Sequence, residues 1–277
     1  MALEVCSLNS GSNGNCYYIG NNSEAVLVDA GLSSRETEKR MSAVGLNIKK
    51  VVGIFISHEH TDHIKGLEKL SSRHNIPVYL TSKTFESSRL QIGSHLVRTF
   101  QPGSAAAVGT FSITAFKKFH DAVDPHSFLV SCHNVTVGVF TDIGRCCTEV
   151  EKHFSQCHAA FLESNYDDGM LANGPYPYHL KKRISGGHGH LSNIEALNLF
   201  NRHRSPFLSH LFLSHLSREN NCPEKAMQTF LPFAKQTRVV IASRHQPTEV
   251  FTIFPNKGNS STKTARTTFR QLSFFEA

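Results

Sequence analysis

Six consecutive residues, His58-Glu59-His60-Thr61-Asp62-His63, constrain this chain more than any other feature. Four of them are of metal-ligand type. They follow directly on residues 51–56, a continuous apolar, β-branched run of the kind that forms a strand covered on both faces. In extended backbone, side chains two residues apart project the same way, so His58 and His60 are expected to grip one cation. Asp62 and His63 enter a turn, face another direction, and are expected to grip a second. A solvated polar loop has no need of so many ligands in so short a span. The run is not the helical H-E-x-x-H arrangement of zinc proteases, because position 62 is Asp rather than His. Glu59 is therefore read as outward-facing rather than as a general base.

The periodicity around this run is that of an α/β protein. Strands are expected over 3–8, 16–19, 25–28, 77–80, 111–116, 128–132, 135–140, 159–162, 208–213, 239–242 and 248–254. Helices are expected over 33–44, 64–74, 148–156, 193–201 and 224–234. Ser33 or Ser34 is placed to cap the first of these, and Ser192 or Asn193 the fourth. Residues 165–183 show little periodicity and read mostly as loop with a short helical piece. Many strands and then a helix, twice over, describes two mixed sheets packed face to face with helices outside. A domain over 1–255 is expected. Residues 256–277 begin with a Ser/Thr/Asn/Lys-rich stretch and read as a partly flexible extension.

Composition narrows the partners. The formal charge is +7, which favours nucleic acid, phosphate or anionic surfaces. Histidine is abundant at 17 residues, and it is the commonest metal ligand at neutral pH. The seven cysteines are odd in number, contain no C-x-x-C, and do not read as a disulfide framework, so a reducing, cytoplasmic location is expected. No apolar run approaches the roughly 20 residues that span a bilayer, and no membrane partner is expected.

Further ligand-type residues stand where strands are expected to end: Phe119-His120-Asp121, Thr141-Asp142-Ile143-Gly144 and Leu213-Ser214-His215-Leu216-Ser217. Taken singly, His120 suits an exposed strand end, Asp142 suits a turn before Gly144, and His215 competes with His210 on the same strand. Together with the H-x-H-x-D-H run and Leu27-Val28-Asp29-Ala30-Gly31 before it, they resemble the metallo-β-lactamase superfamily over residues 1 to about 255. That resemblance implies a four-layer αββα sandwich and two divalent cations. His58, His60 and His120 would hold one, Asp62, His63 and His215 the other, and Asp142 would bridge them. Asp29 would orient a ligand rather than bind metal. Zinc suits the imidazole–carboxylate set, and manganese or iron also fit.

The fold leaves the substrate open. Gly189-His190-Leu191-Ser192-Asn193 is similar to a segment of the tRNase Z and phosphodiesterase branch, in which the histidine contacts the scissile phosphate. More narrowly, the chain resembles the WalJ/YycJ type in Ser10-Gly11-Ser12-Asn13-Gly14-Asn15, Leu162-Glu163-Ser164-Asn165-Tyr166-Asp167 and His215-Leu216-Ser217-Arg218-Glu219-Asn220-Asn221. This resemblance implies a metal-dependent DNA exonuclease of 5′-to-3′ polarity, with Asp62, Asp142 and His190 in catalysis. A small-molecule phosphodiesterase, or a thioester or lactone hydrolase, is the alternative. Ser10, Ser12, Asn13, Asn15, Ser192, Lys182, Arg183 and Arg218 are candidate contacts to a nucleic-acid substrate, the basic ones by following phosphates. A basic cluster of this kind is equally compatible with a solvated face.

Overall fold

The protein is described from a computed structural model that covers residues 2–255. The extension expected over 256–277 lies outside the described residues. The chain first lays down β1 (Leu3–Asn9), β2 (Cys16–Gly20), β3 (Ala25–Val28), β4 (Val51–Phe55), β5 (Val78–Leu80) and β6 (Val97–Thr99) side by side in that order. A second sheet follows from β7 (Ala105–Val108), β8 (Phe111–Lys117), β9 (His126–Cys132), β10 (Val135–Phe140), β11 (Ala159–Glu163), β12 (His210–Ser214) and β13 (Arg238–Ile241). The chain then returns, and β14 (Phe251–Ile253) pairs with β1, setting Leu3 opposite Ile253. Each sheet has seven strands.

Alternation along the strands builds the layers. Val5, Tyr17, Val28 and Phe55 of the first sheet point inward and meet Phe128, Val130, Phe161 and Phe212 of the second in one core. The ring of Tyr17 lies 4.9 Å from that of Phe161, and Phe161 stacks on Phe212 at 4.6 Å. The intervening residues, such as Cys6, Leu8, Tyr18 and Leu27, point outward beneath the first sheet's helices, while Phe140, Leu162, Leu211 and Leu213 do so beneath the second's. Each large aromatic buried in this way contributes on the order of 2 kcal/mol. The expected sandwich, two mixed sheets between helical layers, is the fold observed. All seven cysteines are free. No helix among the described residues is long and apolar enough to cross a membrane.

Strand direction positions the site. β3 to β6 run parallel, as do β10 to β13, and β8 shares the direction of β10 because both are antiparallel to β9. The carboxyl ends of β3, β4, β8, β10, β11 and β12 thus open onto one edge of the sandwich.

Several elements depart from expectation. The helix expected over 64–74 is divided into Thr61–Ile64 and Leu67–His74. Gly66 interrupts it: its N–H donates to Ala30 O at 2.9 Å, and a Cβ there would collide with the Leu32 carbonyl. Residues 165–183 are more ordered than a loop, with helices Asp168–Asn173 and Tyr178–Ser185. The first fully buries only Leu171 and the second no residue, and both are short. The helix Ser82–Ser88 and strands β6 and β7 are additions to the expected set.

Candidate metal centre

Three of the residues that follow strand ends adopt left-handed backbone: Asp29 (φ 62°), Asp142 (φ 54°) and His215 (φ 56°). This conformation costs a non-glycine residue roughly 1–2 kcal/mol, and Asp and His are among the types that tolerate it. The turn it makes at each strand end swings the side chain across the sheet edge. Gly31 completes the packing: its N–H donates to Asn15 O at 2.9 Å, and a Cβ there would collide with the Asp62 carbonyl, so the loop after β3 lies directly on the histidine-rich run.

The sheet edges bring the predicted ligands together in two groups. The donor atoms of His58, His60 and His120 lie within 4.8 Å of one another, and so do those of Asp62, His63 and His215. In the first group His58 Nε2 faces His60 Nδ1 at 3.1 Å. In the second, Asp62 Oδ2 is 3.5 Å from His63 Nε2 and 3.7 Å from His215 Nε2. Asp142 touches both. Its Oδ2 lies 3.2 Å from His63 Nε2, and its Oδ1 lies 3.4 Å from His215 Nε2 and 3.9 Å from His120 Nε2. His210, the competitor of His215, begins β12 and stays at the opposite end of the strand.

An outer set of hydrogen bonds fixes the rings. Asp29 Oδ2 accepts from His63 Nδ1 at 2.8 Å and from Ser57 Oγ at 2.9 Å, and Ser57 Oγ in turn accepts from His58 Nδ1 at 2.9 Å. Asp29 therefore orients two imidazoles at once. His120 Nδ1 donates to Gly189 O at 2.9 Å, and His215 Nδ1 lies 3.2 Å from Glu163 Oε1. In each case Nδ1 is spent outward and Nε2 is left to point into the centre, the arrangement that prepares a histidine for a metal.

The same atoms test whether a cation fits. His120 Nε2 and His215 Nε2 are buried without a hydrogen-bond partner among the described residues. With His58 Nδ1 donating to Ser57, the lone pair on Nε2 faces His60 at 3.1 Å, and only a proton or a cation relieves that contact. Burial pushes His58 well below its ordinary range and His120 down to about 4, so both are neutral and ligand-competent. At His63 and His215 burial acts in the same sense, but it is outweighed by Asp29, Asp142 and Asp62 at the former and by Asp142, Asp62 and Glu163 at the latter. His63 is raised, and His215 reaches about 10. The carboxylates thus draw positive charge to this point, and the donor set fits divalent cations.

Comparison with known proteins agrees with this geometry. Residues 10–117 match the metallo-beta-lactamase superfamily. Exodeoxyribonuclease YycJ of Bacillus anthracis is 35% identical over 229 residues, 82% of this chain and 87% of that protein. The chain belongs to the metallo-β-lactamase superfamily, in the YycJ/WalJ group. Exodeoxyribonuclease WalJ of Streptococcus pneumoniae serotype 2 is 30% identical, covering 81% of this chain and 85% of its own length. Among solved structures, the metallo-beta-lactamase fold protein YhfI from Bacillus subtilis superposes with a TM-score of 0.69 at 20% identity, covering 91% of this chain and 99% of that one. As in the superfamily at large, a His/Asp metal-binding cluster stands at the sandwich edge.

The remaining predicted residues divide. His190 lines the same cavity of about 250 Å³ as His60, Asp62, His120, Asp142 and His215, with Nδ1 2.8 Å from Glu163 Oε1. Ser12 and Arg183 also line it, and Arg183 Nε donates to Asp121 Oδ2 at 2.6 Å. Ser10 and Asn15, expected to meet substrate, are instead turned inward. Ser10 Oγ bonds Tyr17 Oη and accepts from the His215 N–H, both at 2.7 Å, while Asn15 Nδ2 donates to Asp62 Oδ2 at 3.1 Å. Both position ligands. Asn13 Nδ2 donates to Arg244 O at 2.8 Å, and Ser192 caps the helix Asn193–His203 in a capping box with Glu195. Lys182 is exposed and away from the cavity lining, and Arg218 lines an adjoining cavity. Glu59, expected to face outward, is half-buried, and its Oε1 accepts from Val123 N at 2.9 Å.

Sequence reasoning missed Glu163 as a site residue. This fully buried carboxylate ends β11, accepts from the N–H of Ile143 at 2.7 Å and of Leu191 at 3.2 Å, and holds both His190 and His215. Burial opposes its ionisation, but His190 and His215 bring its pKa down to about 2. An acidic residue closing an otherwise apolar buried strand was the available signal. Lys118 was missed too; it is buried, and its Nζ donates to Thr141 O at 2.7 Å, tying the end of β8 to that of β10.

Proposed function

We propose that the chain is a dinuclear metal-dependent phosphodiester hydrolase, and more narrowly a DNA exonuclease of 5′-to-3′ polarity. The observation that carries this reading is His190. It stands on Glu163 with its Nδ1 3.8 Å from Asp142 Oδ1, on the same cavity as both ligand groups. The DNA assignment is supported by the relatives named as exodeoxyribonucleases, and the polarity rests on the resemblance to the group. By this reading residues 1–255 are the catalytic unit and residues 256–277 an extension. The unit works in the cytoplasm, where free thiols persist.

His58, His60 and His120 would hold one cation, Asp62, His63 and His215 the other, and Asp142 would serve both. Zinc suits this set first, manganese or iron second. The pair supplies Lewis acidity and an activated water near neutral pH. Asp62 and Asp142, which border the cavity between the two ligand groups, would orient the attacking water toward phosphorus. Since Glu163 occupies the Nδ1 of His190, Nε2 is the atom left to hydrogen-bond the phosphoryl or departing oxygen and to deliver a proton to it. Arg183, steadied by Asp121, presents its guanidinium at the rim, where a strand's phosphate enters.

End-labelled single- and double-stranded DNA, with bis-p-nitrophenyl phosphate as a minimal substrate, tests this reading in the presence of zinc or manganese. Stepwise release of nucleotides from the 5′ end is expected. Turnover of a thioester with no turnover of any phosphodiester would contradict it.

A further inference from the structure

A second cavity of about 260 Å³ adjoins the metal-centre cavity, and Ser217 lines both. Arg218, Ser243 and Arg244 are among its polar walls, and Leu216, Pro223 and Ile241 among its apolar ones. The loop that carries Arg244 is pinned along its backbone. Ser243 O accepts from Ser10 N at 3.1 Å, Arg244 O from Asn13 Nδ2 at 2.8 Å, and His245 O from Arg40 Nη2 at 2.9 Å. Arg40 is itself fixed by Glu36 at 2.8 Å and by Leu8 O at 3.0 Å. The backbone beneath Arg244 is therefore rigid, and its side chain lies across Gly11, where an added Cβ would stand 3.3 Å from Arg244 Cβ.

One nitrogen of the half-buried guanidinium is left open. Its Nη1 is buried and has no hydrogen bond among the described residues. Glu219, whose charge also reaches it, pairs with Arg218 Nε at 3.5 Å. Burial and the neighbouring Arg218 charge lower the Arg244 pKa, and Glu219 opposes them without reversing the shift. A donor nitrogen shut off from water without an acceptor is unfavourable until something completes it. Arg244 and Arg218 thus both stand on the wall of a largely apolar cavity that shares Ser217 with the cavity of the ligand cluster.

We infer that Arg244, with Arg218 beside it, binds a backbone phosphate of the nucleic-acid strand next to the one being cleaved, and so sets how the strand lies across the metal centre. This rests on the reading of the site as a phosphodiesterase. A planar guanidinium takes a phosphate through two parallel hydrogen bonds, which the orphaned Nη1 lacks and which a lysine reproduces only as a point charge. The serine hydroxyls of Ser217 and Ser243 are neutral donors on the same walls.

The test compares the metal-loaded wild type with Arg244→Gln and Arg244→Lys on two substrates, a single-stranded DNA oligonucleotide and bis-p-nitrophenyl phosphate, which has no neighbouring phosphate. For Arg244→Gln, the loss of kcat/KM on the oligonucleotide should exceed the loss on the small diester about tenfold or more, and it should fall on KM rather than kcat. The plot of log kcat/KM against log salt should flatten by about one unit, and Arg244→Lys should recover part of both effects. Equal losses on both substrates would mean that Arg244 only supports the fold or the metal centre, and would overturn the inference while leaving the phosphodiesterase reading intact. No loss on either would overturn it in the same way. A wild type that cleaves neither substrate would remove the phosphodiesterase reading itself, and the inference with it.

Discussion

Buried Glu163 Oε1 accepts a hydrogen bond from His190 Nδ1 at 2.8 Å, and the same oxygen lies 3.2 Å from Nδ1 of His215. One carboxylate at the end of β11 therefore sets the orientation both of a metal-ligand histidine and of the histidine assigned to the departing oxygen. Glu163→Gln keeps the shape and removes the charge. Its kcat on bis-p-nitrophenyl phosphate should fall by about 10- to 100-fold, with a smaller change in KM. Steady-state kinetics at saturating metal measure this, and an unchanged kcat would show that Glu163 has no part in positioning either ring.

Asp29 plays the corresponding part in the other sheet, where it holds His63 directly and His58 through Ser57. Asp29→Asn should weaken zinc binding by about 10- to 100-fold in competition with a chromogenic chelator. Turnover should recover when zinc is raised to saturation, because no ligand atom has been removed.

The metal-free protein should be most stable near pH 6.5. His120 is held down to about 4 by burial, so below its ordinary value of 6.5 the unfolded chain takes up a proton that the folded protein refuses, and stability falls with pH. His215 is raised to about 10: burial opposes protonation, but Asp142, Asp62 and Glu163 outweigh it. Its contribution is complete below 6.5 and is lost as pH rises through about 10. Denaturant midpoints in EDTA from acid to alkaline pH measure the curve. A stability that climbs steadily from neutral to alkaline pH would contradict these assignments.

How much of this was legible beforehand depended on how local each signal is. The run from His58 to His63 stands out because four ligand-type residues fall in six positions. His120, Asp142 and His215 are single residues at strand ends, and they gained meaning only through resemblance to a family. Glu163 escaped notice because its role requires β11 to lie between β10 and β12, with Phe161 paired to Val139 on one side and Phe212 on the other. No short window of sequence carries that neighbourhood. Ser10 and Asn15 lie in a small polar turn, and such a turn does not reveal which of its side chains the core will claim. The helix Tyr178–Ser185 is hard to read from sequence because it is short and fully buries none of its residues; only Leu180 and Ile184, one turn apart, mark its inner face.

The central claim is that His58, His60, His120, Asp62, His63 and His215, bridged by Asp142, form one two-metal phosphodiesterase centre. The most direct measurement is metal content together with turnover, for the wild type and Asp62→Ala, with folding checked by circular dichroism. The wild type should hold about two divalent cations per chain and cleave DNA and bis-p-nitrophenyl phosphate, losing that activity in EDTA and regaining it with zinc or manganese. Asp62→Ala should fold, bind less metal and show no turnover. Full activity in Asp62→Ala, or in wild type stripped of metal, would contradict the account.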